Sequence, residues 1–137
     1  MKKKFLAVLL TAAMAVSMLA GCGSKVASDG KVLNVYCWND EFQRRVQDHY
    51  PDYEIVDEVT GKIGDVTVKW NITPNADNAY QNNLDNTLLN QESAAADDKI
   101  DIFLIEADYA LKYIDSEYAL PVADLGIKDA DIADQYK

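Results

Sequence analysis

The run Ile100-Asp101-Ile102-Phe103-Leu104-Ile105, "IDIFLI", carries the most information about architecture. It is almost continuously apolar and has the length of a strand. A strand wetted on one face alternates apolar and polar side chains, whereas a strand covered on both faces has no need to. The run therefore predicts a strand of a parallel sheet with helices on either side. Upstream, Asp65 to Ile72 alternates and is rich in β-branched residues, which marks a second strand broken by Thr73-Pro74-Asn75. Between the two, a helix is expected from about Asp77 to Ser93, with Tyr80, Leu84, Leu88 and Gln91 along one side. Ala94 to Lys99 reads as a loop.

Further upstream, Lys31 to Cys37 is a β-rich run bounded by Gly30 and Asn39-Asp40, the expected first strand. Phe42, Val46, His49 and Tyr50 then fall on one face of a helix that Pro51 closes. Residues 52–64, "DYEIVDEVTGKIG", fit either a short hairpin or an irregular connection. Downstream, Asp108 to Ile114 suits a short helix, Pro121 ends a loop, and Lys128 to Lys137 is a polar segment able to begin another helix. The order βαβαβα predicts an α/β fold, a largely parallel sheet with right-handed crossovers.

The leader has a different character. Lys2, Lys3 and Lys4 precede an apolar stretch from Phe5 to Ala20, the layout of a secretory signal peptide. The stretch is shorter than the roughly 20 residues a membrane-spanning helix needs. Leu19-Ala20-Gly21-Cys22 resembles the lipobox of bacterial lipoproteins. That resemblance implies cleavage after residue 21 and a diacylglycerol on Cys22, each buried methylene of which adds about 0.8 kcal/mol of membrane affinity. The expected organisation is a signal peptide over residues 1–21, a flexible tether over 22–30 and a domain over 31–137, with the chain held on the outer face of the cell membrane.

Without the leader, 116 of the 137 residues remain, with ten Lys and Arg against 23 Asp and Glu, a formal charge of −13. Such a surface repels phosphate backbones, so nucleic acid is excluded as a partner. One His and one cysteine besides Cys22 cannot assemble a His-based triad or a Cys/His metal cluster, and no Gly-rich phosphate loop is present. No cofactor or metal is expected. Cys37, inside an apolar strand, reads as an inert packed thiol, with no reason to pair it with His49.

Ligands of open α/β sheets sit beyond the carboxyl ends of the strands. Three loops qualify: Trp38-Asn39-Asp40, Thr73-Pro74-Asn75-Ala76-Asp77 and Glu106-Ala107-Asp108-Tyr109. Their carboxylates, amides and rings suit a sugar, whose hydroxyls need donors and acceptors and whose C–H faces stack on aromatic surfaces. Each residue also has a structural reading. Asp40 or Asn39, Asp77 and Asp108 stand where they can cap helices, Trp38 can be core, and Tyr80 and Tyr109 can simply pack. Glu106 and Asp108 lie two residues apart, a poor match to carboxylates that must flank a scissile glycosidic bond.

Three segments, "KVLNVYCWND", "NAYQNNLDNTLLNQESAAADDKIDIFLIEADYALKYI" and "SEYALPVADLGI", together with the lipobox leader, resemble the extracellular solute-binding proteins of bacterial ABC importers, the carbohydrate-type family 1. The resemblance implies a periplasmic-binding-protein-like fold with two lobes that close by hinge bending. It implies a small-molecule solute, a sugar or oligosaccharide, delivered to the membrane permease, and no enzymatic activity. By position it implies ligand contacts at Trp38, Asn39, Asp40, Glu106 and Asp108, with Asn75 and Asp77 as weaker transfers. Members of that family are much longer, so this chain is expected to hold an incomplete N-terminal lobe. Two other classes compete: a piece of an exported glycoside-active enzyme, and a structural surface lipoprotein without a ligand.

Overall fold

The structure, a computed structural model, describes residues 31–134. The leader, Cys22 and the tether lie outside these residues. β1 (Val32–Cys37) leads into α1 (Glu41–His49); β2 (Tyr53–Ile55), β3 (Thr60–Ile63) and β4 (Val66–Ile72) follow, then α2 (Ala79–Leu89), β5 (Ile102–Phe103) and the one-turn α3 (Leu111–Ile114). The five strands form one sheet in the order β2-β3-β4-β1-β5. β1 runs parallel to β4 and β5, while β2, β3 and β4 are successively antiparallel. The class is α/β, and the sheet is mixed rather than largely parallel. The antiparallel part is the hairpin from 52–64, joined to β4 through a two-residue turn whose first residue, Gly64, has φ 58°. A glycine-first turn of this length matches the twist of paired strands.

β1 and β4 stay in step from Val32↔Thr67 to Cys37↔Ile72. Their alternating side chains therefore build two cores. On one face Val35, Cys37, Val68 and Trp70 are buried against Phe42 and Val46 of α1, Tyr53 and Leu104. On the other, Tyr80, Leu84 and Leu88 of α2 meet Ile100 and Tyr113, with Tyr36, Trp38 and Phe103 packed alongside. Helices thus cover both faces, as the apolar run implied. The α1 face is shorter than its periodicity suggested: Phe42 and Val46 pack, but His49 and Tyr50 are exposed.

β5 departs most from expectation. Of the six-residue run, only Ile102 and Phe103 pair with β1, and Ile102 keeps 39% of its surface because β5 is the edge of the sheet. The preceding loop is tied down by Asn34, a polar residue on β1 that is only 6% exposed. Its Nδ2 donates to the carbonyls of Asp97 and Lys99, both at 2.9 Å, and its backbone N–H donates to Asp101 Oδ2 at 2.7 Å. Gln91 then acts as a neighbouring strand would. Its carboxamide donates to the Ile100 carbonyl (2.7 Å) and accepts from the Ile100 N–H (2.9 Å). Beyond α3 the chain forms a 3-10 turn over Val122–Leu125, and residues 129–134 are turns; the rest of the segment read as able to begin a helix, 135–137, lies outside the described residues.

Candidate functional site

Because β1, β4 and β5 are parallel, the loops after them emerge at one end of the sheet. β1 is flanked by β4 and β5: the chain leaves it for the β4 side, then crosses back from β4 through α2 to β5 on the other side. Strand order reverses there, and such a switch opens a crevice outside the carboxyl ends.

Tyr80 anchors this end. It is fully buried on α2, and its hydroxyl reaches the carbonyls of Leu104 (2.6 Å) and Tyr36 (3.1 Å). Those carbonyls lie just past β5 and near the end of β1, so the phenol, its one proton shared between them and closer to Leu104, sits across both exits. Burial, foremost, pushes its pKa above the usual tyrosine range. The half-buried Trp38 meets the Tyr80 ring edge-on, with centroids 5.6 Å apart. The Thr73 N–H donates to the Cys37 carbonyl at 3.0 Å, which ties the β4 exit to the β1 exit.

Of the residues singled out by sequence, Asn75 and Glu106 are brought together: Asn75 Nδ2 donates to Glu106 Oε2 at 3.2 Å and links the loops after β4 and β5. Tyr109 joins them. Its N–H donates to the Glu106 carbonyl at 3.2 Å, and its ring lies 6.3 Å from that of Tyr113. Burial, the largest cause, pushes the Tyr109 hydroxyl upward in pKa; the Glu106 backbone amide pulls it down, and the negative charges of Glu106 and Asp108 add smaller upward pushes. Three side-chain atoms are sealed from solvent without a hydrogen-bond partner: Asn71 Nδ2, Asn75 Oδ1 and the Tyr109 hydroxyl. Buried polar groups are normally paired, so each orphan calls for an explanation.

The other candidates sit at the rim. Asn39 is exposed, and its Oδ1 accepts the Glu41 N–H at 3.0 Å at the start of α1. Asp40 stands at the N-cap position without a side-chain cap bond and pairs instead with Arg44 at 3.3 Å, one turn along. Asp77 is exposed at φ 52° in the 3-10 turn before α2 and makes no cap bond either, since that helix starts only after Asn78. Asp108 is exposed two residues before Ala110, the N-cap of α3. Capping by the aspartates is therefore corrected at all three positions: the helices begin later than the sequence implied, or the carboxylate has a better cationic partner.

Sequence reasoning included Tyr109 in the third loop but read it as a packing residue, and it passed over Asn71. Asn71 is the polar break on the inner end of β4, opposite Tyr36 in register, and that alternation was the available signal. Cys37 is fully buried, and burial pushes its thiol up to about 11, as an inert thiol requires. Among the described residues no cluster of three His, Cys, Asp or Glu could hold a metal ion, and no helix is long and apolar enough to cross a membrane. A groove of about 550 Å3 lies elsewhere, along the open edge of β5 between Ile102, Phe103, Tyr118 and Leu120. Comparison of the chain with models of protein families, with curated proteins and with solved structures gives no match.

Proposed function

We propose that this chain is the ligand-binding lipoprotein of an ABC importer, or the first-lobe portion of one, anchored through Cys22 on the outer face of the membrane. Its ligand is a sugar or oligosaccharide, passed to the permease after capture. The observation that carries this reading is the Asn75–Glu106 bond, which joins the loops after β4 and β5 at the strand-order switch of an α/β sheet, the end of the sheet where Trp38 follows β1. A ring and an amide–carboxylate pair on loops at the same end of the sheet supply the two kinds of group a sugar needs, a platform for C–H faces and partners for hydroxyls. Asn39, Asp40, Asp77 and Asp108 supply further polar groups around the rim. A periplasmic-binding-protein-like lobe presents its ligand surface at this end of its sheet, and the leader supports export and lipidation.

The test is calorimetric titration of the full chain, purified from membranes in mild detergent, against a panel of mono- and oligosaccharides. One sugar class is expected to bind, and Trp38→Ala to weaken it about tenfold, the loss expected for a stacking ring worth about 1.4 kcal/mol. Absence of binding across the panel, or binding indifferent to Trp38→Ala, would rule the reading out.

A further inference from the structure

β5 carries the side chains of a covered strand without the cover. The run Ile100 to Ile105 is apolar but for Asp101, yet β5 is the edge of the sheet and Ile102 keeps 39% of its surface. Backbone groups of successive strand residues point to alternate sides. The Leu104 N–H is given to the Tyr36 carbonyl of β1 at 3.0 Å, so the N–H and C=O of Phe103 point away from β1, where no further strand follows among the described residues. At Ile100, on that same side, the Gln91 carboxamide supplies the donor and the acceptor that a neighbouring strand would. Past Ile100 the edge opens into the groove of about 550 Å3, walled by Leu88, Phe103, Tyr118 and the exposed Leu120, Val122 and Leu125. Single exposed apolar residues are ordinary, but a contiguous set beside an unpaired edge marks a docking surface.

The charges on the groove narrow the occupant. Its lining includes Asp101 and Glu117 and no Lys, Arg or His; Lys99 lies beyond, beside Glu92 and Glu117. Asp101 also holds the Asn34 N–H, so Glu117 is the freer carboxylate. We propose that the edge of β5 takes up an extended, basic segment of another protein as an additional strand, with apolar side chains turned into the groove and Lys or Arg beside Glu117. The Phe103 backbone groups then gain partners, and alternate side chains of the guest cover the apolar walls. A lipid surface would cover those walls but has no peptide groups for the edge, and its anionic headgroups would meet the same carboxylates. A second copy offers a strand but brings its own Asp101 and Glu117 and, without the leader, a further charge of −13. The inference stands independently of sugar capture.

The experiment places the full chain in lipid nanodiscs and titrates it with three probes. One is a short peptide of alternating lysine and valine, the second its glutamate–valine counterpart. The third is the lysine peptide N-methylated at every amide, which keeps the side chains and the charge but removes every backbone donor. The lysine peptide is expected to bind, and the other two to bind about tenfold more weakly or worse. Hydrogen exchange at the Phe103 amide should slow about tenfold when it is bound. Glu117 and Leu120 are exposed, so Glu117→Lys and Leu120→Lys keep the fold, and each should weaken the peptide several-fold. No binding of the lysine peptide, equal binding of either control, or affinity unchanged in both variants overturns the proposal. A dimer seen by sedimentation and dissociated by Leu120→Lys overturns it too, because a second copy then fills the groove.

Discussion

At the scale of single residues, the polar positions inside strands matter more than their number suggests. Asn34 interrupts the apolar pattern of β1 and is nearly buried, yet its amide satisfies two backbone carbonyls of the loop that delivers β5. Asn34→Ala would leave both carbonyls short of a donor, at about 1–3 kcal/mol for each group that water cannot reach. The expected loss of stability is therefore about 2–4 kcal/mol, read as a lower urea midpoint at unchanged slope, and a loss under 0.5 kcal/mol would show that the loop holds by other means. Gln43 has a related role on the opposite face, donating to the Glu58 carbonyl at 2.7 Å. Neither role was legible in the sequence, because a buried amide and a solvated one look alike until the partner loop is placed. The positions of Trp38, Asn75 and Glu106 beyond the carboxyl ends of β1, β4 and β5 were legible because each follows a strand that its own composition reveals. Asp40 was misread as a cap because capping and ion pairing use the same residue at the same place, and Asp77 and Asp108 because their helices begin later than the pattern suggests.

At the scale of elements, β1, β4, α1 and α2 follow from periodicity, and the helix faces that cover both sides of the sheet follow with them. The β2–β3 hairpin did not, since Ile55, Val56 and Val59 are exposed and no apolar face marks its strands. The clearest turn signal nearby, Gly64-Asp65 between two β-rich runs, marks the next connection, from β3 to β4. β5 was overrated for a different reason: an apolar run records that something can cover a strand, not how many neighbours it has. The hairpin also contains the tightest glycine. A Cβ on Gly61 would fall directly on the Tyr53 ring, whose hydroxyl accepts the Trp70 indole N–H at 2.9 Å. Gly61→Ala must push that ring aside and break the bond to a core tryptophan. Overpacking and the lost hydrogen bond together make a cost of about 2–3 kcal/mol, visible as a lower melting temperature and an altered tryptophan emission. An unchanged melting temperature would mean that Tyr53 swings away freely. Tyr53→Phe in the same background separates the terms, since it removes the hydrogen bond without adding bulk.

At the scale of the molecule, three buried acids share one response to pH. Burial, the largest cause at each, raises the pKa of Cys37 from 9.0 to about 11 and moves Tyr80 and Tyr113 well above their ordinary value. Asp85, which accepts the Tyr113 hydroxyl at 2.8 Å and also pairs with Lys112, adds its negative charge at that site. These groups span both faces of the sheet, so neither core can open without releasing one of them. Above about pH 9 the unfolded chain begins to lose protons that the folded chain keeps. The folded state then binds more protons than the unfolded, and stability falls with rising pH. Below the unfolded pKa values the contribution is complete. For Cys37 alone, two pKa units amount to on the order of 2–3 kcal/mol, lost between about pH 9 and pH 11, and the tyrosines extend the decline to higher pH. Urea midpoints should be level from pH 7 to 8.5 and drop steeply by pH 10.5. Cys37→Ala should lower stability at neutral pH through lost packing and flatten the first part of the alkaline decline, leaving the tyrosine part in place. A wild-type midpoint that holds to pH 11 would mean that the thiol and both phenols ionise inside the fold, which the buried strand ends described above could not accommodate.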